Sequence, residues 1–247
     1  DGWNWDAVLP YFRKSEGNAH GADALHGGDG PLQVTNQSEP RAISQAFIDA
    51  AGEQQVRHNT DFNGPEQEGA GLYQVTQFYD GKTKGERCSA AAAYLPQSVR
   101  RRSNLTILTK AQAQKVVVED NRATGVQVRY GGKVMQVEAR KEVILSAGAF
   151  GSPQLMMLSG IGPRDELAPH GIEVKHDLSG VGQNLQDHLD YVISYHSKRS
   201  DVVGLNPSGL MQLAKAGLRW RRDGGGMFAT PFHMSAPCVR IRGGRSA

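Results

Sequence analysis

The residues best placed to do chemistry run from Gly148 to Gly162, in the order Gly148-Ala-Phe-Gly-Ser-Pro-Gln-Leu-Met-Met-Leu-Ser-Gly-Ile-Gly162. They follow an apolar run, Val143-Ile-Leu-Ser-Ala147. This order predicts a buried strand that enters a tight glycine turn and then opens a helix. Ser152 suits the N-cap, and Pro153 at the first helical position needs no backbone donor. Gly148 and Gly151 let the backbone turn sharply and let another molecule come close to it. A strand end, a glycine loop and a helix N-terminus together form the usual cradle for a nucleotide or its phosphates, because free N–H groups and the helix dipole point the same way. A plain strand-to-helix connection has the same form, so the loop alone leaves both readings open.

Other candidates are weaker. Asn184, Asp187 and His188 stand together. A His beside a carboxylate suits a general base or a metal ligand; a loop whose polar groups bond backbone is the alternative. The remaining histidines are scattered and show no ligand spacing, which argues against a metal site. Ser159 lies in S-G-I-G and not in G-x-S-x-G, so no hydrolase elbow is present. Arg87 and Ser89 read as fixing a loop, with a substrate contact as the other reading.

Composition narrows the field. The 247 residues carry 28 Lys and Arg against 25 Asp and Glu, a net charge of +3, which gives no case for nucleic acid as partner. Arg100-Arg-Arg102 reads as a solvated loop. Cys88 and Cys238 are the only cysteines, so no disulfide framework is expected. No apolar run approaches the roughly 18 residues of a membrane span.

The elements that must position the glycine loop follow from periodicity. A helix is expected over 4–14, capped by Asn4, with Val8, Tyr11 and Phe12 on one face and Pro10 kinking it. Residues 40–55 read as an amphipathic helix with Ile43, Phe47, Ala50 and Ala51 on its apolar side. Residues 70–79 are β-rich, and Leu105–Thr109 reads as a short strand. Three strands of a meander follow, at 114–119, 124–130 and 134–139, with Asp120-Asn121 and Gly131-Gly132 as turns. Val143–Ala147 is expected to be the most buried strand. A short helix over 163–170 closes on Gly171. Tyr191, Ile193 and Tyr195 alternate as in a half-buried strand. Ser208 is expected to cap a last helix carrying Leu210, Leu213, Ala214 and Leu218.

The loop sequence G-A-x-x-S-P-x-L-M-x-x-S-G-I-G resembles the second signature of the glucose–methanol–choline (GMC) family of FAD-dependent oxidoreductases. Further stretches resemble the same family in the same order. They are Gly2-Trp-Asn-Trp-Asp-Ala-Val-Leu-Pro-Tyr-Phe12, Gly27-Gly-Asp-Gly-Pro-Leu-Gln-Val34, Asp61-Phe-Asn-Gly-Pro-Glu-Gln-Glu-Gly69, Gly85-Glu-Arg-Cys-Ser89 with Ala93-Tyr-Leu95, and Gly180-Val-Gly-Gln-Asn-Leu-Gln-Asp-His188. The bacterial choline- and alcohol-dehydrogenase-like branch is the nearest in pattern. After about residue 200 the likeness thins.

The resemblance implies a mixed α/β fold. Residues 96–190 would be part of a Rossmann-like FAD-binding domain, and 1–95 with 191–247 parts of an antiparallel-sheet substrate domain. It implies FAD as cofactor, a small-molecule primary alcohol or polyol as substrate, and hydride transfer to FAD. Ala147, Gly148 and Ser152 would neighbour the cofactor. Ala113 stands where many family members place a Val whose backbone meets the adenine; a plain strand residue is the other reading. Neither the G-x-G-x-x-G motif nor the segment with the active-site His is found here. The expectation is therefore an internal piece of a larger enzyme with no catalytic residue of its own. The alternative is that the isolated chain is a non-catalytic folded module that does not retain FAD. A cytoplasmic location is expected, and the oligomeric state is left open.

Overall fold

The structure is a computed structural model and describes residues 2–188, 207–229 and 235–238. In chain order the elements are α1 (Trp5–Ser15), β1 (Glu16–Asn18), β2 (Leu32–Val34), α2 (Ala42–Glu53), β3 (Gly69–Leu72), α3 (Ala90–Tyr94), α4 (Gln97–Arg100), β4 (Gln112–Glu119), β5 (Arg122–Tyr130), β6 (Lys133–Glu138), α5 (Gly148–Leu158), β7 (Ile161–Gly162), α6 (Arg164–Leu167), β8 (His176–Asp177), α7 (Pro207–Asp223) and β9 (Ser235–Cys238). This is the mixed α/β class that the sequence implied. The chain divides into two compact units: residues 1–105 with 196–247, and residues 106–195.

In the first unit, Asn4 caps α1 as expected: its Oδ1 accepts the Ala7 N–H at 3.0 Å. No residue of α1 is buried, and on the face shared by Val8, Tyr11 and Phe12 both aromatic rings are exposed. Helix α2 packs on the antiparallel pair β3–β9, in which Gly69 lies opposite Cys238. It buries Ser44 and Ile48, while Ile43 and Phe47 are exposed. The buried face is thus one residue further along than expected, about 100° round the helix. β1 and β2 form a short parallel pair. Cys88 is fully buried and takes the Gln33 N–H on its sulfur at 3.3 Å.

A buried histidine ties two loops of this unit together. His26 is 5% exposed, and its Nε2 lies 3.2 Å from Asp61 Oδ2. Its Nδ1 is buried with no hydrogen-bond partner. Asp23 accepts the backbone N–H groups of His26 and Leu25, both at 2.7 Å. These bonds, His26 first, hold its carboxyl below the usual carboxylate range.

The second unit is built on the expected meander, β4–β5–β6. Asp120 and Asn121 (φ 47° and 61°) and Gly131 and Gly132 (φ 56° and 79°) are all left-handed. Two successive positive φ values give the type I′ hairpin turn that matches strand twist. Val116, Gly125 and Val128 are the buried residues of this sheet. The short helix expected at 163–170 is α6 followed by a 3-10 turn, Ala168–His170, and Gly171 ends it at φ 66°.

Two expected strands are absent. Leu105–Thr109 forms no ladder; the Leu105 N–H bonds back to the Arg102 carbonyl at 3.2 Å, so the chain turns there instead. Val143–Ala147 forms no strand, and Ile144 is 76% exposed. A strand is stabilised only by a neighbour that takes its N–H and C=O groups, and no strand lies beside this run among the described residues. The expected strand at Tyr191–Tyr195 falls outside the described residues. Helix α7 begins at Pro207, one residue before the expected cap Ser208.

Candidate functional site

The glycine loop and helix α5 lie in the second unit. The C-terminal end of α5 is fixed by Ser159, which is 4% exposed. Its Oγ donates to the Leu155 carbonyl and accepts the Val116 N–H of β4, the latter at 2.7 Å. Helix and sheet are joined there by a buried backbone-to-hydroxyl bond, which in low dielectric resists breaking.

The N-terminal end of α5 is open. Gly148 has φ +85°, and a Cβ built on it would meet no atom within 4 Å. Phe150 is 77% exposed, and Ala147, Gly148 and Ala149 are exposed as well. A helix leaves its first backbone N–H groups without partners inside the helix. The turn therefore presents bare backbone and spare donors to whatever lies beside it.

Two details differ from the sequence reading. That reading makes Ser152 the N-cap and Pro153 the first helical residue, yet the helix starts at Gly148, and Pro153 sits inside it. A left-handed glycine turns the chain straight into the helix, so the first turn forms before Ser152 is reached. The Ser152 hydroxyl still satisfies a backbone donor: it accepts the Ala147 N–H at 2.9 Å. The structure thus brings Ala147, Gly148 and Ser152 together in one closed turn. Ala113 is in the same unit, exposed on β4 and paired with Val128. A register shift follows it between Ala113 and Lys115. No hydrogen bond links it to the turn among those of the described residues.

A groove of about 1100 Å³ runs along α5. Phe150, Pro153, Met157, Leu167, Val181 and Leu185 supply apolar wall, and Ser152 is among the residues that line it. Sequence reading missed this groove. Its signal was available: α5 reads as apolar on every side, and a helix of that kind is normally covered all round. Here no residue of α5 is buried.

The loop with Asn184, Asp187 and His188 does not assemble a reacting group. Asp187 Oδ1 accepts the backbone N–H of His188 at 2.8 Å, and Asn184 has φ 56°. Among the described residues no cluster of three His, Cys, Asp or Glu could hold a metal ion. No helix among them is long and apolar enough to cross a membrane.

Residues 1–190 match the model of a family described as GMC oxidoreductase. The chain is 42% identical over 247 residues to an oxygen-dependent choline dehydrogenase of Photobacterium profundum, a match that covers 99% of this chain and 42% of that protein. An FAD-dependent oxidoreductase from Chaetomium thermophilum is similar with a TM-score of 0.76 at 28% identity, over 92% of this chain and 41% of that one. Formate oxidase from Aspergillus oryzae RIB40 shares the fold with a TM-score of 0.77 at 24% identity, over 95% of this chain and 41% of that one. The chain spans less than half the length of these proteins.

Proposed function

Because the chain belongs to the GMC oxidoreductase family, we propose that it forms part of a flavoprotein that oxidises an alcohol or polyol CH–OH group by hydride transfer to FAD. On this reading, residues within about 96–190 serve the cofactor, and the stretches before and after them serve the substrate. When bound, FAD accepts the hydride. The chain's own residues bind and shield; none of them is assigned as the base that removes the hydroxyl proton.

One observation carries the reading: the turn from Ala147 to Ser152 offers an exposed backbone face with no side chain in front of Gly148. Such a face fits a cofactor that needs close approach to the main chain, and the spare N–H groups of the first turn of α5 suit its acceptor oxygens. Ala147 and Gly148 would hold it through backbone, Ser152 would stand beside them, and Ala113 would contribute backbone from β4. The apolar groove would keep water from one side of it.

The test is the visible spectrum and flavin-to-protein ratio of the full-length protein. Bound flavin that Gly148→Val strips away supports the reading. A full-length protein purified without flavin, and unable to take it up, would refute it.

A second reading concerns the isolated chain, which we propose does not retain FAD. Its support is the run Val143–Ala147 directly before the turn, which joins no strand and in which Ile144, Ser146 and Ala147 are exposed, so one flank of the cradle is incompletely packed. A yellow, stoichiometric complex after gel filtration of this chain with FAD would overturn it.

A further inference from the structure

We infer that Ser152 is a positioning residue: its hydroxyl holds the Ala147 peptide so that the Gly148 turn stays open to the cofactor. The inference rests on the proposed role of that turn.

Glycine reaches positive and negative φ with similar ease, so Gly148 does not by itself select φ +85°. Some interaction must choose among its conformers. The bond from the Ala147 N–H to Ser152 Oγ spans Gly148 and closes only when the turn has its present shape. It also occupies the Ala147 donor and fixes the orientation of the Ser146–Ala147 peptide, the one before the peptide that enters Gly148.

Ser159, at the other end of α5, gives the comparison. It too accepts a backbone N–H from outside the helix, that of Val116. Its bond is buried and joins the helix to the sheet, a structural task. The bond of Ser152 is exposed and holds nothing but the turn. A bond in that position contributes little to the core, so its effect falls on the conformation that a ligand meets.

The experiment measures amide hydrogen exchange in this chain and FAD affinity in the full-length protein, for wild type, Ser152→Ala and Ser152→Thr. Protection of the Ala147 amide should fall roughly fivefold in Ser152→Ala, the size of one neutral hydrogen bond. It should be kept in Ser152→Thr, which retains the hydroxyl, and the Val116 amide should not change in either. FAD affinity should fall by a similar factor in Ser152→Ala and be rescued in Ser152→Thr. Unchanged Ala147 protection overturns the inference, and so does an equal fall at Val116, which would mean general loosening. If Ala147 loosens and FAD affinity holds while Gly148→Val still strips flavin, the inference fails and the cofactor reading stands. If no variant alters flavin binding, the cofactor reading fails and takes the inference with it.

Discussion

Substituting Gly148 separates two costs that act on different observables. Its φ is +85°, and an added Cβ meets nothing within 4 Å. In this chain, then, Gly148→Ala carries backbone strain alone, roughly 1–2 kcal/mol for an L residue in the left-handed region. At roughly 4–8 °C per kcal/mol for a small domain, the melting temperature of the second unit should drop by about 4 °C at the least. Asn enters the left-handed region more readily than Ala, so Gly148→Asn should melt higher than Gly148→Ala. Flavin binding should rank the variants differently. If the space in front of Gly148 belongs to the cofactor, both side chains intrude on it, and the larger Asn intrudes more. The full-length Asn variant should therefore bind no more flavin than the Ala variant, although its strain is smaller. Calorimetry of this chain and the visible flavin-to-protein ratio of the full-length protein give the two rankings. If flavin content follows melting temperature across Ala, Asn and Val, strain accounts for everything and the reasoning is refuted. Full occupancy in all three variants would refute it as well.

Ser159→Ala should destabilise the second unit by about 1–3 kcal/mol, because it leaves the buried Val116 N–H without an acceptor; denaturant titration checks this. Asp61→Ala should cost the first unit about 1–3 kcal/mol by leaving both nitrogens of buried His26 unpaired, and a loss no larger than that of an exposed Asp→Ala control would refute it. Asp23 has a folded pKa below its ordinary 3.8, so the stability it contributes is complete above that pH and is lost as pH falls through the folded value. The wild-type chain should accordingly melt above Asp23→Asn near neutrality and lose that margin as pH falls below about 4, which melting profiles across this range would show.

What could be read from the sequence is what local chemistry decides. The meander was legible because Asp120-Asn121 and Gly131-Gly132 specify their turns independently of anything distant. The Asn4 cap and the Gly171 helix end were legible for the same reason. The burial of Val143–Ala147 was not, because the apolar run states a preference, and satisfying it takes a neighbouring strand that the sequence of the run does not encode. The α2 face was misplaced because Ala50, Ala51 and Phe47 carry apolar character round much of the helix, and the contact with β3 and β9 chose Ser44 and Ile48. At the candidate site the residue types were legible, and the hydrogen bond was not. Ser152 is recognisable as a group that satisfies a backbone donor, yet the left-handed Gly148 moves the helix start and makes that donor Ala147.

The edge of the meander has a consequence for how the chain behaves in solution. β6 pairs with β5 on one side and has no partner on the other among the described residues, and all of its residues are exposed, Val134, Met135 and Val137 among them. Its charges, Lys133 and Glu138, stand only at its ends. Open edges of this kind are templates on which further strands add, and charge along their length is the common safeguard. With its centre apolar and uncharged, β6 is the place where concentrated chain would begin to self-associate, and a lysine at Val137 is the substitution best suited to stop it.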